Sequence, residues 1–274
     1  MIRGNALRFA FRVGFGMFLV GSCAAVAWYD YSQALVLGHP EIETGWLLLA
    51  SIVFLALYNI RKKLSMLPLG RSSYWLVVHV VVGIGVIIVY ALHARTLWPS
   101  GYELLLALLF YAVVLSGIAG YILQRVLSTA LTKIQNEFIW ERIPGDLYEL
   151  RRQAEEIIME CAEKTGSEVL PRLYRENLHW YFRKPRFAIS SLFVANTANF
   201  WLRHHIDSVS IYLQGEEHDY CSRLQALAYL KIDLDRSYTL QRLLKVWLLV
   251  HVPATYAFLV LVIWHVILVH VYLV

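Results

Sequence analysis

Four histidines stand out by position and spacing. His79 and His93 lie in YWLVVHVVVGIGVIIVYALHART, His251 and His265 in KVWLLVHVPATYAFLVLVIWHVILVHVYLV, and each pair is separated by 14 residues. On an α-helix, 14 residues advance about 21 Å and turn about 1400°, which is about 40° short of four full turns. Each helix therefore presents two imidazoles on one face, one near each end of an apolar stretch. Histidine is a usual axial ligand of haem iron, and ionisable groups at membrane depth are rare and usually functional. If the two helices run parallel, His79 shares a depth with His251 and His93 with His265. Four imidazoles at two depths can hold two bis-histidine haems stacked across a membrane. A lone membrane histidine also serves ordinary helix packing, but two matching 14-residue repeats favour the ligand reading.

Other residues fit around this arrangement. Gly83 and Gly85 fall between His79 and His93, where side chains would crowd a macrocycle, and are candidates for the haem-binding wall. Gly14, Gly16, Gly21, Gly117 and Gly120 would let neighbouring helices approach a ring face. Arg71, Lys245, Arg95 and Tyr74 lie near the expected haem edges, either as propionate partners or as plain interfacial anchors. Pro253 removes a helix hydrogen bond two residues after His251; it sets the angle of that ring or is an ordinary membrane kink. His270 is five residues past His265, about 140° round the helix, so it is expected off that face, at the interface.

The helices that carry these residues read as membrane spans. The 274 residues are 58% hydrophobic and 16% charged, where a soluble domain carries about 25% charge, and mean hydropathy is +0.52. Five segments approach the length of about 20 apolar residues that a span needs: 9–28, 45–60, 74–94, 102–123 and 246–274. The expected fold class is an all-α membrane protein, with five transmembrane helices forming a dihaem bundle and a helical cytoplasmic insertion before the last helix. The layout is thus 1–129 (four spans), 130–245 (insertion) and 246–274 (fifth span). Arg3, Arg8 and Arg12 ahead of the first apolar run look like a secretory signal, but the segment is read as a retained helix.

Lys and Arg set the orientation. The N-terminal arginines and Arg61, Lys62, Lys63 and Arg71 flank one side, while 30–44 holds Asp30, Glu41 and Glu43 and no Lys or Arg. The expectation is a bacterial inner-membrane protein with the N-terminus cytoplasmic and the C-terminus outside. In the insertion, ELRRQAEEIIMECAEK has both charge signs at helical spacing, with Ile157, Ile158 and Cys161 on one side. SRLQALAYLKI and YTLQRLLKVW read as further helix, the latter running into the last span. RFAISSLFVANTANFWL reads as buried core or a surface laid on the membrane. The aromatics Trp140, Trp180, Tyr181, Phe182 and Trp201 suit a protein-docking surface or packing within the insertion's own core.

Several chemistries are excluded. Cys23, Cys161 and Cys221 are too far apart in sequence for a Cys-x-x-Cys site or the Cys-x-x-Cys-His of covalent haem. A net charge of +5, modest for this length, does not ask for nucleic acid. No phosphate-cradling loop or dinucleotide fingerprint occurs. Arg203-His204-His205 with Asp207, and Glu216-Glu217-His218-Asp219, lack metal-ligand spacing and read as solvated surface.

The two histidine-bearing helices, about a fifth of the chain, resemble those of the respiratory and photosynthetic cytochrome b family, where two parallel helices each carry two histidines about 14 residues apart. The resemblance implies that His79, His93, His251 and His265 are axial ligands of two haem b groups. The family's Pro-Glu-Trp-Tyr quinol-oxidation motif is absent, and the segment 130–245 separates the ligand helices. Membrane cytochrome b subunits that anchor iron–sulfur or flavin dehydrogenases are a looser but functionally closer analogy. The chain is thus expected to be an electron-transfer subunit of a membrane oxidoreductase rather than a catalyst itself. Its partners would be a cytoplasmic flavin or iron–sulfur protein, an external c-type cytochrome or a quinone, and membrane lipid. Asp30, Glu41, Glu43 and Glu103 would attract a basic carrier, an effect that salt screens. The alternative is a haem-free membrane scaffold or sensor acting through 130–245.

Overall fold

The computed structural model describes residues 2–35, 40–63, 72–134, 136–185 and 197–272; of residues 2–12, 15, 34, 59–63, 72 and 73 it describes the backbone alone. Arg71, the side chains of Arg3, Arg8, Arg12, Arg61, Lys62 and Lys63, and the stretch 186–196 lie outside this description. No strand occurs among the described residues. The helices are α1 (Ile2–Leu35), α2 (Pro40–Lys63), α3 (Ser72–Ala94), α4 (Tyr102–Leu131), α5 (Ile143–Thr165), α6 (Val169–Leu173), α7 (His179–Arg183), α8 (Thr197–Ser210) and α9 (Glu217–Tyr272). A π-helical turn, Tyr174–Leu178, joins α6 to α7.

Among the described residues, four helices are long and apolar enough to cross a membrane: Pro40–Tyr58 in α2, Tyr74–Ala94 in α3, all of α4, and α9. That is the architecture of an integral membrane protein. The first expected span lies within α1, 34 residues long, which is not among these four. The last span does not begin a helix of its own. It is the end of α9, whose 56 residues absorb both SRLQALAYLKI and YTLQRLLKVW. The cause is visible in the sequence, since no Gly or Pro occurs between Glu217 and Val252. Pro253 lies inside α9 without ending it, although it leaves the carbonyl of Leu249 without its helical donor.

The described chain forms two compact units: Met1–Tyr121 with Leu249–Val274, and Ile122–Leu248. The first holds α1 to α3, most of α4 and the end of α9. Its buried core is a thin seam of Leu48, Ile52, Val86, Val89, Tyr90, Ala107, Phe110, Phe258 and Val262. Large apolar side chains such as Leu47, Ile84, Leu115 and Ile263 point outward, as expected where lipid replaces water. The Tyr102 hydroxyl donates to the Leu261 carbonyl at 2.6 Å, fastening α4 to α9.

The second unit has a conventional core. Cys161, Leu170, Leu178, Phe182, Leu202, Leu224, Ala228 and Leu234 are all nearly inaccessible. The α5 face bearing Ile157, Ile158 and Cys161 is the buried one. Gly166, at φ 62°, closes α5 in the left-handed conformation. Lys231 is wholly buried but satisfied: it bonds Asp235 and the Lys184 carbonyl, and lies 4.2 Å from the centre of the Tyr181 ring. Of the aromatics expected to form a docking surface, Tyr181 and Phe182 belong to this core, whereas Trp180 is exposed. Burial also pushes the Cys161 and Cys221 thiols up, so both remain protonated structural side chains.

At one end of the first unit, Arg95 follows α3 with φ 54°, a left-handed conformation rare outside glycine. Its guanidinium holds Asp30 of α1 through two bonds of 3.0 and 2.8 Å, and Glu41 of α2 lies 3.5 Å away. Asp30 is 6% exposed. Three helices are thus tied at one residue that tolerates an unfavourable φ. Arg95→Ala keeps that φ and abandons Asp30, at a cost of about 1.5–3 kcal/mol for a charge-assisted bond. Arg95→Gly also loses the bond but regains about 1 kcal/mol of backbone strain. Thermal unfolding in detergent is expected to rank wild type above Arg95→Gly and Arg95→Gly above Arg95→Ala; an inverted order of the two variants contradicts the strained tie.

Candidate functional site

His93 lies in the last turn of α3 and His265 near the end of α9, and the structure sets their rings side by side. The ring centres are 6.3 Å apart and the planes nearly perpendicular, at 89°. An ion taking one nitrogen from each ring, at metal–imidazole distances of about 2.0–2.1 Å, would hold the ring centres about 6 Å apart. The spacing therefore suits two axial ligands of one iron.

The tautomer suits it too. His93 Nδ1 is 3.0 Å from the Glu41 carbonyl oxygen of α2. A carbonyl can only accept, so Nδ1 carries the proton and donates, leaving Nε2 with its lone pair for a metal. Gly45 allows the close approach of α2 that makes this bond. A Cβ at Gly45 would lie 3.0 Å from His93 Cε1 and 3.4 Å from Nδ1.

Both rings line a cavity of about 300 Å³, between α2, α3, α4 and α9, at the small end of the range for ligand sites of about 300–1,000 Å³. Its walls are chiefly apolar, with Trp46, Tyr90 and Phe258 among them, and its polar groups include Glu41, Glu103 and His270. His270 is exposed, as expected of an interfacial residue, and also lines this cavity. The α9 residues lining the cavity are Phe258, Val262, His265, Val266, Val269 and His270. At about 100° per residue they cover a stripe about 140° wide, with His265 at one edge and His270 at the other. His270 donates from Nδ1 to the Val266 carbonyl at 2.8 Å and meets Trp46 edge-on at 5.5 Å.

The other two histidines have different described neighbours. The His79 ring is 4.9 Å from that of Tyr58 in α2. His251 Nδ1 is 3.2 Å from Ser116 Oγ in α4, and a Cβ at Gly117 would lie 3.7 Å from His251 Cε1. A Cβ at Gly83 would meet nothing within 4 Å, whereas one at Gly85 would lie 3.1 Å from Leu19 of α1. Gly85 therefore serves the α1–α3 contact.

Two candidate propionate partners are engaged by carboxylates of the chain. Arg95 holds Asp30, and Lys245 lies 3.4 Å from Glu141 and 4.5 Å from the centre of the Trp140 ring. Tyr74 is partly exposed. Asp30, buried against Arg95, is withdrawn from the four acids expected to steer a carrier. Glu43 accepts the Tyr29 hydroxyl and, with Glu103, stays exposed.

In the second unit, His205 donates to the Trp201 carbonyl at 2.9 Å, and His204 stacks on Phe200. Glu217, expected on a solvated surface, is 5% exposed, and its Oε2 accepts the Gln214 amide at 2.9 Å, capping the start of α9. No group of three or more His, Cys, Asp or Glu that could hold a metal ion occurs among the described residues.

Sequence reasoning missed α2 as a wall of the site. Its signal was present: Glu41 and Gly45 are four residues apart, hence on one helix face, and Gly45 opens the apolar run.

No family model, curated protein or solved structure matches this chain.

Gly45→Val forces bulk against His93 and is expected to destabilise the first unit by about 1–3 kcal/mol, as overpacking does. Gly83→Ala fills open space and gains helix propensity, so it is expected to be neutral or stabilising. Parallel thermal unfolding checks this. A Gly45→Val protein no less stable than Gly83→Ala would show that α2 does not press on His93.

Proposed function

We propose that this chain is a b-type dihaem cytochrome, an electron-transfer subunit of a larger membrane oxidoreductase. The observation that carries the reading is the His93–His265 pair: two imidazoles 6.3 Å apart, one with its Nε2 lone pair left free by the bond from Nδ1 to Glu41. A bound haem would supply a one-electron ferric–ferrous couple. The chain's own residues do the rest. His93 and His265 would fill both axial positions, which suits electron transfer rather than oxygen chemistry. The Glu41 carbonyl orients the His93 ring and fixes its tautomer. The apolar walls exclude water. His79 and His251, 14 residues away on the same two helices, are proposed as ligands of the second haem b, with Gly83 beside open space and Gly85 at the α1 contact.

The proposed topology has five spans, with the N-terminus in the cytoplasm and the C-terminus outside a bacterial inner membrane. The His93–His265 site then lies toward the outside. Donor and acceptor would be a cytoplasmic flavin or iron–sulfur subunit, meeting the second unit, and an external c-type cytochrome or a quinone. A second reading, a haem-free scaffold or sensor acting through 130–245, draws support from the second unit's own well-packed core.

Haem quantification and redox titration of four alanine variants separate these readings. His93→Ala and His265→Ala are each expected to remove one and the same haem, and His79→Ala and His251→Ala the other. A purified wild type without haem favours the scaffold. Loss of one common haem in His79→Ala and His265→Ala contradicts the pairing.

A further inference from the structure

We infer that the loop between α3 and α4 is the docking point of a soluble, basic one-electron carrier, reached from the His93–His265 site through the rings of Tyr90, Tyr111 and Trp98. The inference rests on the proposed redox role of that site.

Tyr90 lines the cavity that His93 and His265 share and is 8% exposed. Its ring centre lies 5.8 Å from that of Tyr111, and Tyr111 lies 6.0 Å from Trp98. Trp98 is 70% exposed. The three rings thus form a continuous path of near contacts from the cavity wall to the surface. Saturated side chains or lipid at any of these positions would couple the ends more weakly.

The path ends on a held loop rather than a loose one. The Tyr111 hydroxyl donates to the Leu97 carbonyl at 2.7 Å. Arg95 and Gly101, at φ 54° and 64°, form the two corners, and Arg95 is fixed by Asp30. Leu97, 61% exposed, extends the apolar contact beside Trp98. A carrier that exposes its cofactor edge needs such a small, firm apolar contact.

Charge specifies the carrier's sign. Glu41 and Glu43 lie in the first turn of α2 and Glu103 in the first turn of α4, and the Arg95 guanidinium is shared between Asp30 and Glu41, which leaves Glu43 and Glu103 without a neighbouring cation among these. The rim is acidic, so it attracts a basic protein and slows an acidic one. In the step itself, a haem held by His93 and His265 would give up one electron and the carrier would take it, with no proton moved and no bond formed or broken. An exposed Trp at a helix end also suits anchoring in the lipid interface, and the experiment decides between the two.

The test uses the full chain in lipid nanodiscs and a basic soluble c-type cytochrome as probe, compared among wild type, Trp98→Ala and Tyr111→Leu. Visible spectra and midpoint potentials are expected to match across the three. Stopped-flow mixing of the reduced protein with the oxidised probe should then show a second-order rate about tenfold or more lower in Trp98→Ala, the size of a lost hot-spot contact. Tyr111→Leu should lower the rate at saturating probe, and added salt should slow the wild type. Binding of the redox-inert zinc form of the probe should weaken with Trp98→Ala alone. Unchanged rates and unchanged zinc-probe binding in Trp98→Ala overturn the inference and leave Trp98 a lipid anchor. If the purified protein holds no haem, the redox reading fails. Zinc-probe binding insensitive to Trp98 would then overturn the docking as well.

Discussion

The bond from His93 Nδ1 to the Glu41 carbonyl is the constraint on which the arrangement of the first unit turns. An imidazole inside an apolar bundle must place its N–H somewhere, because an unsatisfied polar group there costs several kcal/mol, of order 2–7. Placing it on α2 demands that α2 come close. Closeness is eased by Gly45, where a Cβ would lie 3.0 Å from His93 Cε1 and the ring would have to yield. With Nδ1 committed, the ring orientation and the tautomer are fixed, and Nε2 keeps its lone pair.

The same end of the bundle is braced from a second direction. Arg95, two residues after His93, reaches back to Asp30 of α1 and approaches Glu41, the residue whose carbonyl holds the ring. The tie stabilises the bundle and also fixes the last turn of α3, at the expense of a left-handed residue. On the other side, Tyr102 fastens α4 to α9 four residues before His265. His93 and His265 are each positioned by contacts with neighbouring helices rather than by their own helices alone. A site built on packed helices holds its geometry better than one built on loops.

Much of this was legible in the sequence because it is periodic. Hydropathy marked the apolar helices, and the 14-residue spacing put two histidines on one face of each. What the sequence hid depends on width and on distant partners. Helical arithmetic placed His270 at about 140° from His265 and so off its face, yet the cavity is walled by a stripe that wide, and both residues line it. Asp30, Glu41 and Glu217 read as surface acids. The contacts that bury Asp30 and Glu217, and that draw Glu41 to the site, come from Arg95, Gln214 and His93, and Arg95 and His93 are dozens of residues away from their acids. The continuity of α9 was written in an absence of Gly and Pro, which marks where a helix is able to continue rather than where it does.

The low-temperature electron paramagnetic resonance spectrum of the oxidised, purified protein tests the central claim most directly. Two axial imidazoles at the angle between the His93 and His265 ring planes, 89°, would give ferric haem a strongly anisotropic low-spin signal with one large g value. The account predicts that signal in the wild type and its loss in His93→Ala. A spectrum without low-spin ferric haem, or one whose signal survives both His93→Ala and His265→Ala, contradicts it.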